Sequence, residues 1–98
     1  MAETKAKTPQ SVDTTFTVPI TKDNNSGWSC VVMEDSGEFF GTRRAVKISG
    51  TIDGQPFEAT MLPVGGGNHM IPIKAALRKL VAKEQGDEVT VHIKQRFS

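Results

Sequence analysis

Apolar and polar residues alternate along several short stretches of the chain, which is the pattern of half-buried β-strands. Residues 15–20 carry an apolar side chain at every second position, with polar residues or proline between them. Residues 44–52, 56–62 and 89–93 alternate in the same way. Residues 28–33 are almost wholly apolar, which is typical of a short strand covered on both faces. The pattern therefore predicts five strands.

Turn and breaker residues set the limits of these strands. Asp53-Gly54 is a strong hairpin signal, because both central positions of a type I′ turn need positive φ. Gly50 lies inside the third predicted strand and indicates a β-bulge or a close approach of a neighbouring backbone. Pro19 cannot donate a hydrogen bond to a sheet, so we expect the first strand to lie at an edge or to bend there.

One amphipathic helix is predicted between the fourth and fifth strands. We expect it to begin at Pro72, where a missing N–H costs nothing, and to end at Gly86 in a left-handed cap. Its apolar residues have the i, i+3, i+4, i+7, i+8 spacing of one buried stripe. They are Ile73, Ala76, Leu77, Leu80 and Val81. Phe39 and Phe40 are predicted to form a short helical turn that plugs one end of the core.

The predicted order of elements, β-β-β-β-α-β, defines a mainly β domain. Five short strands are too few for two sheets, whereas a small, bent barrel capped by one helix would bury the alternating faces and the helix stripe. A length of 98 residues is enough for one such domain. Residues 1–12 are polar and are predicted to form a disordered tail. The β-barrel domain then covers residues 13–98.

Composition narrows the cellular setting and the partners. The formal net charge is +1, whereas strong nucleic-acid binders usually carry a basic excess. The single cysteine, Cys30, cannot form an internal disulfide and lies in an apolar run, so we expect it to be buried. The sequence has neither an apolar signal region nor a run of about 18 apolar residues. We therefore expect a cytoplasmic protein without a membrane partner.

Several motifs together resemble a known family. They are Trp28, Phe40-Gly41-Thr42-Arg43, the stretch VKISGTIDG at 46–54, Gly66-Gly67 with His69, and Gly86-Asp87. These motifs, spread over residues 16–93, resemble a small bacterial and archaeal family of unknown function, whose members stand alone or precede a bacteriocin-protection (YdeI/OmpD-associated) domain. The resemblance implies a double-split β-barrel, related in shape to the barrel of AbrB-type transition regulators. It implies no activity.

A local likeness to AbrB-type DNA-binding domains is carried by Ile71-Pro72, Leu77-Arg78 and the stretch 86–89. In those proteins two short chains interlock into one barrel, and basic residues at its rim touch DNA. The present chain departs from them because four predicted strands, rather than two, precede its helix. The likeness therefore implies a related fold and not the same function.

The glycine-rich segment 65–69 (GGGNH) is the main candidate for a ligand site. Free backbone N–H groups before a helix could bind an anion, although no Lys-Ser/Thr pair follows the glycines as in a Walker motif. A tight crossing of the chain over the barrel end is the alternative. The candidate ligand-binding residues are Arg43, Gly66, Gly67 and His69. His69 could instead pack and hydrogen-bond beside the helix.

A second candidate surface is basic. If the third and fifth strands are neighbours, Arg44, Lys47, Lys94 and Arg96 would form an outward patch that could bind nucleic-acid phosphates. The alternative is an ordinary solvated strand face whose charges protect a sheet edge.

The sequence contains no evident catalytic or metal-binding set. The two histidines and the cysteine lack zinc-site spacing, no serine lies on a nucleophile elbow, and no cofactor is expected. We therefore predict a non-enzymatic binding or interaction module whose partner is an unknown small ligand or protein. The chain would be a monomer or a weak dimer. An AbrB-like nucleic-acid-binding domain and an enzyme are the alternative hypotheses.

Overall fold

A computed structural model describes residues 10–97, which form a mainly β structure with two short helices. The strands are β1 (Gln10–Pro19), β2 (Thr21–Lys22), β3 (Ser29–Met33), β4 (Val46–Ile52), β5 (Gln55–Gly65), β6 (Asn68–Pro72) and β7 (Glu88–Arg96). The helices are α1 (Ser36–Phe40) and α2 (Ala75–Val81). The mainly β fold class is confirmed, and the structure adds β2 and β6 to the strands that the alternation predicted.

Neighbouring strands are all antiparallel, in the order β1-β7-β4-β5-β6-β3-β2. Only Ile20 separates β1 from β2, so the two ends of the sheet are successive parts of one bent segment. Ile20 is buried; its N–H donates to the Asp87 carbonyl at 2.9 Å, and its own carbonyl accepts the Gly86 N–H at 2.8 Å. The predicted bend next to Pro19 is confirmed, and the sheet curls into a half-barrel around one core.

The inner face of the sheet is apolar because each strand places every second side chain there. The largest fully buried apolar side chains are Ile20, Val31, Val46, Ile48, Ile52, Met61, Ile71, Ile73, Val89, Val91 and Ile93. Phe40 of α1 is buried against this cluster, as the predicted helical turn requires. Cys30 is buried in β3, as predicted, and burial raises the pKa of its thiol, which disfavours the reactive thiolate.

Two predictions about glycine positions are confirmed. Asp53 and Gly54, which connect β4 to β5, have φ angles of 47° and 84°. At Gly50 the backbone of β4 passes so close to β7 that a Cβ atom would lie 1.9 Å from the His92 carbonyl oxygen. Glycine is therefore required at position 50 by lack of space.

The predicted helix is wrong at both ends. Pro72 is the last residue of β6, and its pairing with Cys30 of β3 holds it in the sheet. Helix α2 begins at Ala75, after Lys74 in an extended conformation. It ends at Val81, and Ala82, whose φ is 57°, is the left-handed cap in place of Gly86. The backbone N–H of Gly86 is used instead to bond the bend between β1 and β2.

The apolar stripe predicted for this helix is only partly buried. Leu77 and Val81 pack against the core, and Ile73 is buried but precedes the helix. Leu80 remains 63% exposed, and Ala76 is exposed as well. A helix of seven residues makes only about two turns, too short to direct all five predicted positions to the core. Among residues 10–97, neither helix is long and apolar enough to cross a membrane.

The predicted disordered tail, residues 1–12, falls largely outside the described residues. Its last three residues belong to β1, where Gln10 and Ser11 pair with β7. The folded domain therefore begins before residue 13.

Candidate functional site

The glycine-rich segment forms a hairpin turn between β5 and β6, which we call the glycine turn (residues 65–68). Gly65 and Asn68 pair across it, and the two residues between them, Gly66 and Gly67, have φ angles of 64° and 81°. A type I′ turn needs two central residues with positive φ, which glycine adopts without strain. The expectation that these glycines lead directly into a helix is wrong, because β6 separates them from α2.

Helix α1 is held against the glycine turn by backbone contacts. The Gly37 N–H donates to the Gly67 carbonyl oxygen at 2.8 Å, and a Cβ atom on Gly37 would lie 3.0 Å from the same oxygen. The Asp35 N–H donates to the side-chain oxygen of Asn68 at 2.9 Å. The chain therefore passes tightly at the glycine segment, and α1 is the element that packs on it.

His69 lies in β6 and is fully buried. Its Nε2 lies 2.7 Å from the Arg44 carbonyl oxygen, which can only accept, so this nitrogen carries the proton. Its Nδ1 accepts the Ser36 hydroxyl at 2.7 Å. The ring also meets Phe40 edge to face, with 6.0 Å between centroids. Because both nitrogens are bonded within the protein, His69 supports the surrounding segments rather than facing a ligand.

A surface cavity of about 570 Å³ lies between α1, the loop that follows it and the glycine turn. We call it the α1 cavity. Its lining residues are Asp35, Gly37, Glu38, Gly41, Thr42, Arg43, Gly66 and Gly67. Three of the four candidate ligand-binding residues, Arg43, Gly66 and Gly67, therefore share one cavity. The fourth, His69, bonds the carbonyl of the residue that follows Arg43.

The charges of the α1 cavity are mixed. Arg43 brings one guanidinium, whereas Asp35 and Glu38 bring two carboxylates. Within residues 10–97, none of these three side chains forms a hydrogen bond or an ion pair, so all three remain available to a ligand. The N–H groups of Gly66 and Gly67 likewise donate to no other described residue. The sequence alone does not place Asp35 and Glu38 beside the glycine turn, because they reach it through the packing of α1 on that turn.

The four residues of the predicted basic patch do not share one face of the sheet. β4 and β7 are neighbours, but a register shift leaves Lys94 as an extra residue in β7. This β-bulge places Arg96 opposite the buried Ile48, on the inner face. The guanidinium of Arg96 donates to the Phe40 carbonyl oxygen at 2.9 Å and lies 5.1 Å from the centre of the Phe40 ring.

The other three cations of that set remain exposed. Arg44 lies in the loop before β4, and Lys47 and Lys94 lie on the strands. The outer face of β5 places the exposed carboxylate of Glu58 opposite Ser49, two residues from Lys47 along β4. A carboxylate therefore lies on the same outer face of the sheet as Lys47.

A second cavity, of about 940 Å³, is an apolar groove between α2 and the strands β4 and β5, which we call the α2 groove. Its apolar lining is Trp28, Ile48, Phe57, Ala59, Leu62, Pro72, Ala76, Leu77, Leu80 and Phe97. Of the large apolar residues described, Leu80 and Trp28 are the most exposed, at 63% and 53%. The strand and helix patterns assigned both to buried faces, so sequence reasoning missed this groove.

The described residues hold few groups suited to chemistry. Among residues 10–97, no three His, Cys, Asp or Glu side chains come together as ligands for a metal ion. The Thr42 hydroxyl, which lines the α1 cavity, accepts the Arg44 N–H at 3.1 Å. Its position is therefore set by the loop that presents Arg43.

The motifs that carried the sequence resemblance lie at these structural positions. Thr42-Arg43 and Gly66-Gly67 line the α1 cavity, and Gly50 sits at the close approach of β4 and β7. No protein of curated function matches the chain in sequence. Residues 16–93 match the family model described as "Domain of unknown function (DUF1905)", and the chain therefore belongs to that family.

Proposed function

We propose that this protein is a non-enzymatic binding module that holds a small ligand in the α1 cavity. The observation that carries the proposal is the guanidinium of Arg43, which has no partner among residues 10–97 and shares the cavity with the N–H groups of Gly66 and Gly67. A guanidinium and successive backbone N–H groups in a left-handed turn both bind carboxylate or phosphate oxygens. We assign the anionic group of the ligand to these donors.

The carboxylates of Asp35 and Glu38 determine the other end of the ligand. A multiply charged anion would meet both of them, and like charges repel strongly at short range. A ligand with one anionic and one cationic group would instead pair Arg43 with the first and the carboxylates with the second. A small zwitterion therefore fits the charges of the cavity better than the bare anion that the sequence indicated.

Binding suits this cavity better than catalysis. The nearest histidine, His69, is bonded through one nitrogen to Ser36 and through the other to the Arg44 carbonyl. A general base must have a free nitrogen within hydrogen-bond reach of the substrate, so His69 would have to break a buried bond to serve as one. The same bonds fix the segments around the cavity, and a pre-formed site loses less entropy on binding.

A nitrogen-15 NMR titration tests the proposal with two matched probes. One is 6-aminohexanoate, a zwitterion, and the other is hexanoate, which has the same carboxylate but no ammonium group. We expect 6-aminohexanoate to shift the amide signals of Gly37, Gly41, Gly66 and Gly67, with a dissociation constant on the order of 1 mM. Hexanoate should shift them several-fold less at equal concentration.

Three variants separate the roles of the charges. Arg43→Gln should abolish the shifts, whereas Arg44→Gln, which removes the neighbouring cation outside the lining, should retain them. Replacing both carboxylates, by Asp35→Asn and Glu38→Gln, should make 6-aminohexanoate and hexanoate shift these amide signals equally. Shifts that persist in Arg43→Gln, or signals that neither probe nor inorganic phosphate moves, would overturn the proposal.

A further inference from the structure

The α2 groove exposes two large apolar side chains on the surface of the domain. Trp28 and Leu80 both line it, with 53% and 63% of their surface exposed. Apolar side chains that line one groove with a polar rim can mark an interaction site. The groove is separate from the α1 cavity, since the two share no lining residue.

The groove is left open by the way α2 packs. Leu77 and Val81 contact the core, whereas Leu80 projects from the helix beside the groove without being covered. The apolar stripe of this seven-residue helix therefore extends beyond the surface that the sheet covers. An apolar side chain of a partner could therefore be buried between Leu80 and Trp28.

The charges around the groove are mostly positive. Four cations lie on or beside α2, at Lys74, Arg78, Lys79 and Lys83, and the segment 74–83 contains no acidic residue. Arg78 pairs with Glu84 at 3.0 Å, and Lys83 pairs with Asp53 at 2.8 Å.

The other two of these cations are Lys74, just before α2, and Lys79, within it, and no described carboxylate pairs with either of them. The side chains of Lys74, which lines the groove, and of Lys79 form no hydrogen bond or ion pair with another residue between 10 and 97. Among the described lining residues, Glu58 supplies the only carboxylate. The helix side of the groove therefore favours a partner with negative charge.

We infer that the α2 groove binds a short amphipathic segment of another protein, with large apolar side chains flanked by aspartate or glutamate. Apolar side chains of that segment enter between Trp28 and Leu80, and its carboxylates face Lys74 and Lys79. Large apolar anchors at helical spacing are the usual arrangement where an amphipathic helix binds in a groove. A second copy of this chain fits less well, because a two-fold contact would bring the lysines of both copies together.

Trp28 gives a direct test, because it is the only tryptophan of the chain. The probe is a synthetic 14-residue peptide with leucine at helical i, i+3, i+4 and i+7 positions and glutamate elsewhere. We expect it to move the Trp28 emission to shorter wavelength, with saturation at a dissociation constant of about 10–100 µM at low salt. Added salt should weaken the binding, since part of the attraction is between exposed charges.

Two control peptides separate the apolar and electrostatic parts. A peptide with lysine in place of every glutamate should bind at least about 10-fold more weakly. A peptide with serine in place of every leucine should give no shift. Equal binding of either control peptide would overturn the inference.

Protein variants test the location. Leu80→Ser should weaken binding about 10-fold or more, and it should fold because the side chain is largely exposed. Lys74→Glu should weaken it several-fold, whereas the matched charge reversal Arg44→Glu, outside the groove, should not. The inference is overturned if the acidic peptide produces no shift at 1 mM (about −4 kcal/mol of binding free energy). It is also overturned if sedimentation shows that the chain itself dimerises through Leu80.

Discussion

The imidazole of His69 and the hydroxyl of Ser36 are joined by a 2.7 Å hydrogen bond that links β6 to α1 across 33 residues of sequence. Both residues are fully buried, so neither group can exchange its partner for water. The second ring nitrogen bonds the Arg44 carbonyl at 2.7 Å. One side chain therefore holds both α1 and the loop of Arg43 in place beneath the α1 cavity.

Ser36→Ala removes one of these bonds and leaves the Nδ1 of His69 without a partner. A buried polar group that loses its partner costs about 1–3 kcal/mol, and we expect the free energy of unfolding to fall by that amount. His69→Ala should cost about 3 kcal/mol or more, since it also leaves a cavity. Urea unfolding followed by circular dichroism measures both losses.

The second histidine is a built-in control for this prediction. His92 bonds Asp13 at 2.6 Å on the protein surface, and exposed pairs contribute less than about 1 kcal/mol. His92→Ala should therefore change the free energy of unfolding much less than His69→Ala. Similar losses for the two histidines would mean that the buried bonds of His69 do not support the fold.

Gly50→Ala should destabilise the protein more than Gly54→Ala, although only Gly54 has a positive φ. A Cβ atom at position 50 would lie 1.9 Å from the His92 carbonyl, so β4 and β7 would have to separate. We expect a loss of about 3 kcal/mol or more. At Gly54, φ is 84°, and an added Cβ atom would have no neighbouring atom within 4 Å. Alanine there therefore adds only backbone strain, of about 1–2 kcal/mol. If Gly54→Ala lowered the urea midpoint more than Gly50→Ala, β4 and β7 would be able to separate at little cost.

Sequence patterns located the strands that bury one face, and β3 by its nearly all-apolar run. In β4 and β7 buried and exposed residues alternate, and the period-2 pattern is plain. β6 was missed because His69, Met70 and Ile71 are all buried, so the strand has no alternation. Pro72 resembles the first residue of a helix, but its pairing with Cys30 of β3 places it in the sheet.

The candidate site was predictable only as far as local signals reach. The glycine run and the family motif pointed to Gly66, Gly67 and Arg43, which do share a cavity. Asp35 and Glu38 join them because α1 packs on the glycine turn, a contact between segments far apart in sequence. Contacts between distant segments produce no periodic pattern in the sequence. The β-bulge that turns Arg96 inward also depends on pairing between strands that are distant in sequence.

Arg96 and Lys94 should differ in their effect on stability, although they are two residues apart on one strand. Arg96 donates to the Phe40 carbonyl and lies 5.1 Å from the centre of its ring. We expect Arg96→Ala to lower the free energy of unfolding by about 1–3 kcal/mol. Lys94 is exposed at the bulge, and Lys94→Ala should change it by less than about 0.5 kcal/mol. If Lys94→Ala lowered the free energy of unfolding more than Arg96→Ala, the bulge at Lys94 that turns Arg96 inward would be contradicted.

Asp53 should make the stability depend on pH in the acid range. Its Oδ2 lies 2.8 Å from the Lys83 ammonium, and its Oδ1 accepts the Thr90 N–H at 2.8 Å. The Lys83 hydrogen bond, and then the Thr90 N–H, hold the pKa of Asp53 below its ordinary value of 3.8. A carboxyl with a lowered pKa in the folded state contributes stability that is fully present above the ordinary pKa. That stability is lost as the pH falls through the folded pKa.

Asp53→Asn isolates this contribution, because asparagine retains the Thr90 bond and suits the turn before Gly54 but lacks the charge. At about pH 6 the variant should be less stable than the wild type, and the difference should shrink as the pH falls below 3.8. Asp23→Asn is the matched control: the pKa of Asp23 is also lowered, by hydrogen bonds from Ser26. That variant leaves the Asp53–Lys83 pair intact, so a further Asp53→Asn change made in it should produce the same pH-dependent loss. Urea unfolding across the acid range measures these differences, and a wild-type minus Asp53→Asn difference that stays constant with pH would contradict the assignment to this carboxylate.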